Sequence, residues 1–194
     1  DTIALTLTAF LSAILSGLLG GCTTLAPLAD HASDPKLSRV HAALENVVQI
    51  CNENTQQDWY NGWVGNAWVN FRKGPARGLC YHWQSFVYDG VLPTVHDVGW
   101  EAGGLMVHGD SYLEHHVVIV FDPNRIKHDE ILETKPPRPV YVLDAWSRGK
   151  ADIFSLDDWL GRDTEVASTA VLETPTPYAD LEINQAPAAP NTDE

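Results

Sequence analysis

The chain has 194 residues, with 12 Lys and Arg against 26 Asp and Glu, for a formal net charge of −14. That length favours one domain with a real core, and 44% apolar with 9% aromatic residues excludes a wholly disordered chain. The negative charge argues against nucleic acid or an anionic membrane surface as the main partner, because phosphate binding is built on Lys and Arg. Three cysteines are too few for a disulfide scaffold.

Charge is absent from Thr2 to Ala29, and Thr2 to Gly21 are rich in Leu, Ile and Ala. Such a stretch is long enough to span a bilayer or to act as a secretory signal. It ends in Leu19-Gly20-Gly21-Cys22, which resembles the bacterial lipoprotein signal. The resemblance implies cleavage before Cys22 and a diacylglyceryl group on its thiol, and two or more acyl chains anchor a protein stably. Residues 1–21 then form a signal peptide, whose start reads as truncated because Met and a basic n-region are missing. Thr23 behind the Cys implies sorting to the outer membrane, periplasmic side, in a Gram-negative cell.

Residues 22–35 are small, polar and Pro-bearing, and read as a tether. Val40, Ala43, Leu44, Val47, Val48 and Cys51 recur at helical spacing. Asp34 or Ser33 is placed to cap that helix, with Pro35 in its first turn. Asp58 to Phe71, with Trp59, Tyr60, Trp63 and Trp68, has no clear period. Residues 73–78 are a loop, and Cys80 to Val87 again suits a helix.

Leu113 to Phe121 and Val140 to Trp146 read as strands, apolar on both faces and therefore central in a sheet. Ser155 to Leu160 starts a short helix. Leu172 to Glu194 holds four Pro, five acids and no Lys or Arg, the composition of a disordered acidic tail. The expected fold class is α+β. N-terminal helices and a Cys-bearing helix pack on a small antiparallel sheet, within a domain of residues 36–171.

Cys80 opens its helix behind Gly78-Leu79. A thiol there feels the helix dipole and free N–H groups, which lower its pKa. Gly78 would let a substrate backbone approach. His115 lies near the start of the first strand and Asp144 near the end of the second. Antiparallel pairing makes them neighbours, and a helix packed on that sheet can bring the thiol to His115.

These three segments, GLCYHWQSF, EHHVVIV and VLDAW, resemble the Cys, His and Asp segments of papain-like and transglutaminase-like enzymes, nearest the compact bacterial transglutaminase-like core, over about residues 58–160. The resemblance implies Cys80 as nucleophile, His115 as general base and then acid, and Asp144 as orienter of the imidazole. The reaction would pass through a thioester, by hydrolysis of an amide or isopeptide bond rather than cross-linking, without a cofactor. His116 competes with His115, since a strand alternates faces. The pattern of a His, one residue, then Val selects His115.

Papain-like enzymes place an oxyanion-hole Gln six residues before the Cys. Gly74 stands there, which leaves Asn66, Asn70 or the indole of Trp68 as donor. Trp83 and Trp146 would flank the site.

Cys51 reads as a core residue, and a Cys51–Cys80 disulfide is chemically allowed in an exported domain. Cys80, His82, His108, His115 and His116 invite a zinc reading, but CxxC and HExxH spacings are missing and no metal site is assigned. The substrate expected is envelope protein or peptidoglycan peptide, with the membrane engaged through lipid on Cys22. The alternative is a binding lipoprotein of the same fold without turnover.

Overall fold

The computed structural model describes residues 25–55, 57–71, 77–111 and 113–179. The expected signal peptide, the expected lipidation at Cys22 and the part of the expected tail beyond residue 179 lie outside the described residues. Among the described residues, no helix is long and apolar enough to cross a membrane.

Among the described residues, five α-helices and five strands follow one another as α1 (Pro35–Glu53), α2 (Gly62–Phe71), α3 (Cys80–Asp97), β1 (Glu101–Val107), β2 (His115–Phe121), β3 (Val140–Asp144), β4 (Asp152–Ser155), α4 (Leu156–Gly161), α5 (Thr164–Thr169) and β5 (Val171–Glu173). The strands form one antiparallel sheet in the order β4-β3-β2-β1-β5. The fold is α+β, as the residue pattern implied.

Capping and apolar spacing set α1. The Asp34 carboxylate accepts from the N–H groups of Lys36, at 2.8 Å, and Leu37, at 3.3 Å, and Pro35 occupies the first turn. Its stripe of Leu37, Val40, Leu44, Val47, Val48 and Cys51 is buried against α3. Each such side chain contributes on the order of 1.5–3 kcal/mol by leaving water. The ambiguous aromatic stretch resolves into α2, behind a bridge from Trp59 to Arg77. Helix α3 runs ten residues past Val87 and keeps Pro93 inside. Its lost hydrogen bond is offset by Val91 and Val95, both fully buried.

The two expected strands pair antiparallel and each has a neighbour on both sides. Side chains alternate between two cores. Val118 and Val120 of β2 pack with α1 and α3, whereas Val117, Ile119 and Phe121 pack with Trp159 of α4 and Val166 of α5.

Strand β1 escapes the sequence patterns because Gly103-Gly104 lowers its strand propensity. The glycine is needed at 104, where a Cβ would lie 2.6 Å from Glu173 Cγ and 2.9 Å from Gln84 Nε2.

Two expected boundaries move. The stretch read as a tether is packed from residue 25 onward, with the Leu28 N–H donating to the Ile153 carbonyl at 2.7 Å and Leu28 against the core. The stretch read as a tail begins too early at Leu172. Strand β5 pairs with β1 through Leu172 and Glu173, and Tyr178 stacks on Trp59 and accepts from Arg77. In both places a few apolar side chains find a groove, and composition averaged over a longer window hides them.

Candidate functional site

His115 and Asp144 meet as the antiparallel pairing of β2 and β3 requires. His115 is the first residue of β2 and Asp144 the last of β3. The Nε2 of His115 is 3.1 Å from Oδ2 of Asp144, and both side chains are buried. Ser147, three residues on, completes the carboxylate. Its Oγ donates to Oδ2 at 2.7 Å and its N–H to Oδ1 at 3.0 Å.

Burial alone would push Asp144 up. The imidazole of His115 and the hydrogen bonds from His115 and Ser147 outweigh it, and hold the carboxyl well below the usual carboxylate range. The other nitrogen of His115, Nδ1, is buried and has no partner among the described residues. Trp146 lies against the imidazole with ring centroids 4.6 Å apart, and Trp159 of α4 is 5.8 Å away.

The pair lines a cavity of about 480 Å³. Its walls include Trp63, Trp146, Trp159 and Phe154, and its charged members include Arg148, Asp152 and Arg162. Arg148 is held bidentately by Asp152, at 2.5 and 2.6 Å.

Cys80 stands at the start of α3, as the sequence implies, but its setting differs from the expectation in three ways. The thiol is 4% exposed and is not on the cavity wall. Burial pushes it up to about 11; N–H groups of His116 and Tyr81 pull it down without matching that effect, and the Glu114 carboxylate adds to the rise. The helix start therefore does not yield a thiolate at neutral pH.

The third difference is the face. Sγ donates to the carbonyl of Glu114 at 3.6 Å, the residue directly before His115. Cys80 belongs to the core between α3 and the sheet, whereas His115 shares the face of Val117, Ile119 and Trp159. Among the described residues no hydrogen bond joins the thiol to His115.

The alternation that separates the two histidines holds. His116 faces the α3 side, and its Nδ1 and Nε2 meet Glu173 at 2.7 Å and Glu114 at 2.9 Å. Both of its nitrogens are thus engaged, and Asp144 serves His115. Cys51 and Cys80 are both free thiols, and Cys51 sits in the core with burial pushing it up to about 12. Among the described residues no cluster of three His, Cys, Asp or Glu side chains is arranged to hold a metal ion.

The expected oxyanion and flanking residues divide. Trp146 flanks His115, with its indole N–H donating to the Gly78 carbonyl at 2.8 Å. Trp83 borders a narrow void shared with Asp144 and Trp146, but its N–H is taken by the Tyr60 carbonyl at 2.6 Å. Neither Asn66 nor Trp68 of α2 is on the cavity wall: Trp68 is 50% exposed, whereas Asn66 is half-buried, with an Oδ1 that is buried and has no partner among the described residues. Gly78 has a different use from the one expected. At φ +149° it packs on Tyr60, and a Cβ would lie 2.7 Å from that residue's carbonyl oxygen.

His82, with no role from the sequence beyond a possible ligand, accepts through Nδ1 from the N–H of Leu79 at 3.3 Å and of Gly78 at 3.5 Å. Burial, with the nearby charge of Arg77, lowers it to about 4. Ser147 could have been found from the Asp-x-x-Ser spacing of a side-chain-capped turn. Trp159 and Arg162 carry no local signal and reach the site only through the packing of α4.

Comparison with known family models, curated proteins and solved structures finds no match to this chain.

Proposed function

We propose that the protein is a thiol hydrolase of amide or isopeptide bonds, with His115 as base, Asp144 as orienter and Cys80 as nucleophile. The observation that carries the reading is the state of His115. Asp144 fixes one nitrogen, and the other is buried without a partner beside a cavity of substrate size. A buried imidazole prepared in this way is costly unless its free nitrogen is used.

Nδ1 takes the thiol proton as Sγ bonds to the acyl carbon. The imidazolium then gives that proton to the leaving amine as the C–N bond breaks, and water cleaves the thioester by the same base. Cys80 reaches Nδ1 only when the thiol leaves the Glu114 carbonyl and the strand start at 114–115 lets the two faces meet. Catalytic contacts that are loose in a free enzyme commonly tighten around substrate.

The reading includes a lipid on Cys22 and a place in the bacterial envelope, from the resemblance of residues 19–22. Envelope protein or peptidoglycan peptide is the substrate class that fits such a place.

A second reading is favoured by the buried, protonated thiol: a binding lipoprotein whose cavity holds a ligand without turnover. A peptidyl acyloxymethyl ketone separates the two. It should alkylate Cys80 in the wild type, mapped by mass spectrometry, and fail in His115→Ala. Equal labelling of both, or none in either, favours the binding protein. Palmitate should enter the expressed lipoprotein and not its Cys22→Ala variant.

A further inference from the structure

Three arginines of this fold hold a carboxylate. Arg39 pairs with Asp97, Arg138 with Asp157 and Arg148 with Asp152. Arg162 differs. It is half-buried at the junction of α4 and α5 and lines the cavity of His115 and Asp144. It makes no ion pair or hydrogen bond among the described residues; its guanidinium lies over Trp159, whose ring centroid is 3.9 Å from Cζ, and the charges of Asp144 and Asp163 act on it from further off.

The nearby acids are otherwise engaged. Asp144 uses both oxygens for His115 and Ser147. Asp163 caps α5 by accepting from the Glu165 N–H at 3.0 Å. Asp152 is bound by Arg148. A desolvated guanidinium with free donors is an expensive feature, and a planar, bidentate acceptor satisfies it best.

Trp159 ties this cation to the catalytic pair, since the same ring stacks under Arg162 and neighbours the His115 imidazole. Trp63, Trp146 and Phe154 add apolar wall to the same cavity. A ligand in this space therefore meets a cation, an apolar wall and the imidazole, with the cation and the imidazole on either side of Trp159.

We infer that the cavity selects acyl substrates bearing a free carboxylate, which Arg162 binds while the acyl carbon lies at His115. Arg162 is thus the specificity-determining residue. The inference rests on the reading of this cavity as the substrate site. It requires no further covalent step, because the carboxylate is only held.

The test compares glutaryl anilide with its methyl ester, on the full chain, by calorimetry and by turnover. The wild type should bind the acid at least about tenfold more tightly than the ester. Arg162→Gln should erase that ratio, and Arg162→Lys should keep part of it. If Arg162→Gln does not fold, phenylglyoxal modification of Arg162 in the wild type, mapped by mass spectrometry, should be blocked by the acid and not by the ester. Equal affinity for acid and ester in the wild type, no binding of either, or a ratio that survives Arg162→Gln would overturn the inference. Turnover keeps the two ideas apart. Binding that follows Arg162 with no hydrolysis sinks the hydrolase alone. Hydrolysis with the same kcat/KM for acid and ester sinks the carboxylate preference alone.

Discussion

Cys80 Sγ and the imidazole of His115 lie against the same strand start with no hydrogen bond between them: the thiol donates to the Glu114 carbonyl on the α3 side, and the ring lies between Trp146, 4.6 Å away, and Trp159, 5.8 Å away. Under the hydrolase reading, the base is prepared and the nucleophile is stored. This relationship sets the order in which the parts of the site should respond to perturbation.

The thiol should be sluggish in the free protein. With Cys80 pushed up to about 11, it is protonated at neutral pH and shielded. Iodoacetamide at pH 7.5 should modify it more slowly than a free thiol of pKa about 8.5. Rates measured by mass spectrometry on Cys80, with Cys51→Ser as background, should rise steeply above pH 9. A rate above that of a free thiol at pH 7.5 would contradict this burial.

Replacing Asp144 should separate charge from shape. Asp144→Ala leaves His115 buried and unpaired, and should cost about 3–5 kcal/mol in urea denaturation. Asp144→Asn keeps the shape and loses the charge, so stability should fall less. Under the hydrolase reading its kcat should drop by roughly 10²- to 10⁴-fold, because the imidazole is no longer held in the useful tautomer. Unchanged kcat in Asp144→Asn would remove Asp144 from the machinery.

The same carboxyl should show in acid stability. Its folded pKa lies below the unfolded one, so its contribution is present above pH ~4 and is lost as pH falls toward the folded value. The acid-unfolding midpoint of Ser147→Ala should move to higher pH, since the substitution removes the hydroxyl bond to Oδ2 that helps hold Asp144 low and keeps only the N–H bond to Oδ1.

His82 should give a second pH window with the same direction. A histidine lowered to about 4 is neutral in the folded chain, while the unfolded chain takes up a proton below pH ~6.5. Stability should therefore fall as pH drops from about 6.5 to about 4, by a few kcal/mol in all. His82→Asn keeps an acceptor near the N–H groups of Gly78 and Leu79 and should flatten this part of the profile. A profile unchanged by the substitution would assign the loss elsewhere.

Gly78→Ala should destabilise the chain by at least about 2 kcal/mol in chemical denaturation. It would place a Cβ at a φ of +149° and 2.7 Å from the Tyr60 carbonyl oxygen. Gly161→Ala, with nothing within 4 Å of its Cβ, is the matching control and should be near neutral.

Much of this protein follows from its residue pattern. The 3.6-residue stripe and the Asp34-Pro35 start determine α1, and the β-branched runs determine β2 and β3 as central strands. Their antiparallel pairing brings His115 to Asp144, and alternation sends His116 to the other face. These features depend on neighbours in sequence or on one pairing, so local chemistry decides them. Tertiary structure alone decided the rest. Strand β1 hides behind its glycines, the segments around Leu28 and Tyr178 are placed by a few apolar contacts and hydrogen bonds to distant residues, and Arg162 reaches the cavity only because α4 packs across the sheet. The state of Cys80 belongs to this second group. Its helix start is legible, but whether a thiol is a thiolate depends on how much water surrounds it and which face of the sheet it meets, and both are set by packing between distant parts of the chain.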